Sequence, residues 1–157
     1  MAVAVLLGLA NPVLAQQEAG NDELQLQGNL SLGSGSHKTS GQIMVNPGRF
    51  FTALQEIGIH LNSTITNGKL MGSVAPSYRF NFSTNKVVSY LGISAGTQFG
   101  NAVGGRSAMA SAEAGLRYFV ARKTAFTLST GKSYLFKQKK FDPGLDIDFG
   151  FTHLWGK

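Results

Sequence analysis

Gly48-Arg49-Phe50-Phe51, Ser77-Tyr78-Arg79-Phe80-Asn81-Phe82 and Gly115-Leu116-Arg117-Tyr118-Phe119 are three versions of one pattern, an arginine among aromatics just before a polar turn. After residues 52–55, 83–86 and 121–124, each is followed by an alternating run. These runs are Glu56-Ile57-Gly58-Ile59-His60-Leu61, Val88-Ser89-Tyr90-Leu91-Gly92-Ile93 and Ala125-Phe126-Thr127-Leu128-Ser129. Alternation with a period of two marks a strand with one oily and one wet face. A short turn between two such runs makes a hairpin, and a hairpin unit repeated along a chain argues for a barrel.

The same alternation extends outward from the repeats. Residues 23–33 set Leu24, Leu26, Leu30 and Leu32 against Gln25, Gln27, Asn29 and Ser31. Residues 41–51 carry Ile43 and Val45, then Pro47-Gly48. Proline inside a sheet marks a bulge or an edge. A bulge here turns Arg49 inward and Phe50 outward, in phase with the two later repeats. Residues 56–64, 70–82, 87–99, 107–120, 125–136 and 145–155 complete a set of eight strands. The connections 52–55, 83–86 and 121–124 are short, and 34–40, 65–69, 100–106 and 137–144 are longer. Asn67-Gly68 is a hairpin signal. The fold predicted is all-β, an eight-stranded antiparallel up-and-down β-barrel.

Sidedness then decides the functional class. An apolar-ligand carrier of the lipocalin kind and a transmembrane barrel can both have eight antiparallel strands. The wet faces carry Arg49, Arg79, Arg117, Glu56, Glu113, Asp146 and Asp148, alongside Gly58, Gly92, Gly96, Gly115 and Gly150. An eight-stranded lumen is only wide enough for side chains or one small ligand. Small and charged residues fit that space better than leucine, phenylalanine and tryptophan from every strand. The oily face is therefore expected to meet lipid, and a soluble periplasmic carrier of a small apolar ligand is the alternative. Only 14% of the 157 residues are charged, against about 25% in typical soluble domains.

Residues 2–10 are apolar and precede Asn11-Pro12-Val13-Leu14-Ala15, with Val13 and Ala15 at the small positions a signal peptidase reads. Residues 1–15 are read as a signal peptide, although no basic residue follows Met1, and 16–157 as one barrel domain. The chain has no cysteine, which removes disulfides, a thiolate nucleophile and cysteine metal sites. The net charge of +6 comes without a nucleic-acid-binding signature. A basic surface facing lipid phosphates is the better reading.

The Arg-aromatic-turn repeats, the Tyr90-Leu91-Gly92-Ile93-Ser94-Ala95-Gly96 strand and the aromatic-alternating last strand resemble the small outer-membrane β-barrel proteins of the OmpX type. The resemblance spans the chain after Ala15. It implies location in a bacterial outer membrane, contact with lipid and lipopolysaccharide, assembly by the barrel assembly machinery, a monomer, and no cofactor. The chain departs from the family at its end, where Gly156-Lys157 follow Trp155 in place of a terminal aromatic.

Charges in a narrow lumen must pair, because burying them alone is costly. Arg49, Arg79 and Arg117 are expected to meet Glu56, Glu113, Asp146 and Asp148 in a network that plugs the barrel. Phe50, Tyr78, Phe80, Phe82, Tyr118 and Trp155 are expected to form an aromatic girdle at one membrane interface. The basic run Lys137-Gln138-Lys139-Lys140 joined to Phe141 is the candidate lipopolysaccharide contact. No metal-ligand spacing is present. Some outer-membrane barrels are lipid A deacylases with a His/Ser site, but two residues beyond His153 stands Trp155, not serine. No catalytic residue is assigned.

Overall fold

A computed structural model describes residues 17–31, 40–66, 68–100, 105–136, 140–141 and 146–156. Four strands form the first half of the chain: β1 (Asp22–Ser31), β2 (Ser40–Phe50), β3 (Gln55–Thr66) and β4 (Lys69–Asn81). Four more follow: β5 (Val87–Gly100), β6 (Gly105–Ala121), β7 (Thr124–Leu135) and β8 (Asp146–Trp155). Each pairs antiparallel with its neighbour in the chain, and β8 closes against β1. The result is a closed, eight-stranded, up-and-down barrel. A two-residue ladder, Lys140–Phe141, lies along Leu135 and Tyr134 ahead of β8.

Register sets the barrel's width. From Leu26 the ladder runs one way through Val45, Leu61, Val74 and Thr97 to Ala108, whose carbonyl accepts from the Phe136 N–H just past β7. The other way it runs through Phe151 to Phe126 on β7. The two arms meet β7 ten residues apart, from 126 to 136, and this stagger tilts the strands. Eight tilted strands leave a lumen just wide enough for side chains to fill.

The two faces are inverted relative to a soluble barrel. Ile57, Leu91, Ile93, Phe126, Phe149 and Phe151 are exposed on the outer wall. Gln25, Gln27, Asn46, Thr127, Ser129 and Thr152 are buried within. Hydrogen bonds such as Gln27 Nε2 to Ser129 Oγ at 2.7 Å join amides and hydroxyls across the lumen.

Pro47 makes no bulge, which corrects the expected phase of β2. The β1 ladder runs unbroken from Asp22↔Arg49 to Ser31↔Ser40, through Leu24↔Pro47. On the β3 side the ladder skips Asn46 and Pro47 but resumes in the same register, from Val45↔Leu61 to Gly48↔Gly58. Proline removes a donor without adding a residue, so the alternation is preserved. Arg49 therefore points outward, 66% exposed at its side chain, and Phe50 points inward, fully buried. Phe51 is the exposed aromatic at this site. A register shift does occur elsewhere, between Phe119 and Ala121 on β6.

The connection expected at 65–69 is also tighter than its neighbours. β3 runs to Thr66 and β4 begins at Lys69. Gly68 takes φ 72°, the left-handed conformation that a two-residue hairpin turn requires. Asp22 of β1 pairs with both Arg49 of β2 and Trp155 of β8. This rim, the closed end, also carries the turns before β3, β5 and β7.

Candidate functional site

The lumen has a floor, a charged layer and a polar cup. The inward positions nearest the closed end are Phe50 of β2, Val88 of β5, Phe119 of β6, Ala125 of β7 and Leu154 of β8. They form one fully buried apolar cluster. These strand ends are tied together by backbone bonds across the turns. Phe119 N–H donates to Lys86 O at 2.8 Å and Leu154 N–H to Lys123 O at 2.7 Å. Beneath β2, residues before β1 add Gly20 N–H to Phe50 O at 2.7 Å.

Above the floor lie two arginines and three glutamates. Arg79 Nε donates to Glu113 Oε1 at 2.6 Å, and its Nη1 reaches Glu23 Oε1 at 3.2 Å and Glu56 Oε1 at 3.3 Å. Arg117 Nη2 donates to Glu23 Oε1 at 2.7 Å and Glu56 Oε2 at 3.2 Å, and its Nη1 donates to Asn81 Oδ1 at 3.3 Å. Both guanidinium groups lie against the Tyr90 ring, at 5.4 and 4.8 Å from its centroid. Such charge-assisted contacts in a fixed fork geometry suit arginine and not lysine. Arg79 Nη2 also faces His60 Nε2 at 3.1 Å.

Glycines make room for this layer. A Cβ at Gly92 would sit 2.6 Å from Glu113 Oε1. A Cβ at Gly115 would enter the Tyr90 ring. At Gly92 the space is taken by Glu113, and at Gly115 by the Tyr90 ring on which the arginines lie.

Of the seven residues expected in the charged network, Arg79, Arg117, Glu56 and Glu113 come together here. Arg49 is on the outside, where its Nε is 3.7 Å from Asp22 Oδ1. Asp148 is buried on the inner face of β8 and accepts from Asn29 Nδ2 at 2.7 Å. The side chain of Asp146 lies outside the described residues. Glu23 bridges both arginines and was missed by the sequence reading. The signal for it was its parity, since it shares the wet face of β1 with Gln25 and Gln27.

Toward the other end, Gln42, Asn62, Ser73, Ser94, Ser111 and Ser129 line a cavity of about 80 Å³. That is room for a few waters among groups able to hold them. Ser94 and Ser111 share a hydrogen bond of 2.5 Å. On the outer wall, His153 stacks on Trp155 and its Nδ1 is 3.1 Å from Thr124 Oγ1. Among the described residues no group of three or more His, Asp or Glu side chains could hold a metal ion.

At the closed end Phe82, Tyr118 and Trp155 are exposed, and Tyr78 and Phe80 are half-buried. Phe80 and Phe82 pack edge to face at 5.3 Å, and Phe51 meets Tyr78 at 6.2 Å. Phe50 belongs to the floor instead. Lys137 and Lys139 and the expected signal peptide lie outside the described residues. For Lys140 and Phe141 only the backbone pairing is described.

No family model matches the chain, and no curated protein does. Solved structures do. The N-terminal β-barrel domain of Pseudomonas aeruginosa OprF is 15% identical with a TM-score of 0.61, covering 88% of this chain and all of that one (100%). The outer membrane protein OprG from Pseudomonas aeruginosa is 9% identical with a TM-score of 0.55, covering 90% and 98%. Neisserial surface protein A is 16% identical with a TM-score of 0.52, covering 85% and 90%. This chain has the fold of these barrels. At such identities the likeness is one of architecture.

Proposed function

We propose that this chain is an integral barrel of a bacterial outer membrane, exported by residues 1–15, with a closed interior and a structural or surface-interaction role. The observation that carries this reading is the inversion of its faces. Large apolar side chains cover the outer wall while five buried ion-pair contacts join Glu23, Glu56, Arg79, Glu113 and Arg117 inside. Leaving the outer wall in water would expose an apolar surface far beyond what soluble monomers carry. A carrier of apolar ligands needs the opposite arrangement, and the interior cavity, about 80 Å³, is too small for more than a few waters.

The floor of Phe50, Val88, Phe119, Ala125 and Leu154, with the charged layer above it, argues against a conducting pore. The Arg-aromatic-turn repeats support a place near the OmpX type. The same reading assigns no catalytic role, and gives residues 137–141, with Lys137, Lys139, Lys140 and Phe141, to contact with lipopolysaccharide. The same reading assigns insertion to the barrel assembly machinery.

Expression with the N-terminal segment, cell fractionation and a gel with and without boiling test the reading. The expected result is recovery in the outer-membrane pellet and a mobility shift on boiling. In planar bilayers the folded protein is expected to give no discrete conductance steps. Recovery as soluble periplasmic protein without detergent would overturn the membrane reading, and stable unitary currents would overturn the closed interior.

A further inference from the structure

We propose that the outer wall at the closed end holds one anionic diacyl phospholipid, with an acyl chain in a groove that crosses β5 to β8 and reaches β1, and its phosphate on the adjoining turns. The proposal rests on the membrane reading above. The groove measures about 680 Å³ and is lined by Val87, Leu116, Tyr118, Phe126, Phe149 and Phe151 among others. These side chains all point away from the lumen and are exposed. The volume lies in the range of small-molecule sites, about 300–1,000 Å³.

Cations border this groove at its closed-end rim. Tyr118 is part of the groove wall, and Lys86 Nζ lies over its ring at 5.1 Å from the centroid. Arg122 and Lys123 form the turn between β6 and β7, four and three residues from Phe126 of the groove wall. The backbone ties Lys86 to Phe119 and Lys123 to Leu154, so these cations sit on strand ends that flank the groove. Neither turn, 82–86 or 122–123, contains a carboxylate. Asp22, at the same rim on β1, faces Arg49.

Apolar depth and positive charge thus meet at one place, which is what a lipid with an anionic headgroup requires. Each lysine or arginine near a membrane surface adds about 1 kcal/mol of attraction to anionic lipid, roughly fivefold in affinity. The aromatic rim supplies the amphipathic contacts expected at the headgroup level.

The test is native mass spectrometry of the full chain folded in detergent, with phosphatidylglycerol or phosphatidylcholine of matched chains added. The expected result is retention of one phosphatidylglycerol, with a preference over phosphatidylcholine of at least roughly fivefold, the share of one cation. The triple variant Lys86→Gln, Arg122→Gln, Lys123→Gln is expected to abolish that preference. A control variant at the opposite rim, Lys69→Gln with Arg106→Gln, is expected to keep it. Each preparation is also checked for the mobility shift on boiling, so loss of the barrel is read separately from loss of lipid. Equal retention of the two lipids would overturn the proposal. So would equal loss in the control variant, or displacement of the lipid by millimolar inorganic phosphate. A wild-type chain that neither inserts into vesicles nor shifts on the gel would overturn the membrane reading itself.

Discussion

Replacing Arg117 with methionine tests the charged layer most directly. The side chain is fully buried and contacts Glu23, Glu56 and Asn81 through its guanidinium nitrogens. Methionine keeps much of the aliphatic length but none of the donors. The layer would then hold three carboxylates, Glu23, Glu56 and Glu113, against Arg79 alone. Removing one partner of a buried pair costs about 3–5 kcal/mol, because the other charge is left uncompensated. That range is the expected loss, at its upper end because one guanidinium serves two carboxylates. The assay is urea unfolding in lipid vesicles, followed by the fluorescence of Trp155, the chain's single tryptophan. A second variant, Glu23→Gln in the Arg117→Met background, isolates the mechanism. Glu23 touches both arginines, at 3.2 and 2.7 Å, so neutralising it should restore part of the loss, with a coupling of about 1–3 kcal/mol. A loss below about 1 kcal/mol for Arg117→Met, or strict additivity in the double variant, would refute the reasoning.

Arg49→Ala is expected to cost no more than about 1 kcal/mol in the same assay, since its ion pair with Asp22 is exposed; a loss like that of Arg117→Met would return Arg49 to the interior. Gly115→Val should lower the refolded fraction on a heat-shift gel and destabilise by about 1–3 kcal/mol, because its side chain would occupy the Tyr90 ring. Ile93→Lys, midway along β5 and 62% exposed, is expected to cost about 2–4 kcal/mol in vesicles. A neutral result there would mean that this wall does not meet hydrocarbon.

Alternation alone was enough to separate the two faces for most of the chain. A side chain's face follows from parity within a strand, and parity is local. Ile57, Ile59, Leu91, Ile93, Phe126 and Phe149 could therefore be placed outside, and Arg79, Arg117, Glu56 and Glu113 inside, without a fold in hand. The same local signal was present for Glu23, on the wet face of β1, but its importance was not legible there. Its partners are 56 and 94 residues away and meet it only when β8 closes the barrel against β1.

Tertiary structure also decided the ends of strands, where parity depends on what the neighbouring strands do. Pro47 admits either a bulge or an interrupted ladder, and these put Arg49 and Phe50 on opposite faces. The unbroken β1 ladder selects the second, which turns Phe50 from an interface aromatic into part of the floor. The sequence by itself therefore determined a barrel with an oily exterior and a charged interior, because both properties repeat every two residues. Only the closed structure decided which charges meet and which apolar side chains cluster beneath them, because those contacts are set by stagger and closure across strands distant in the chain.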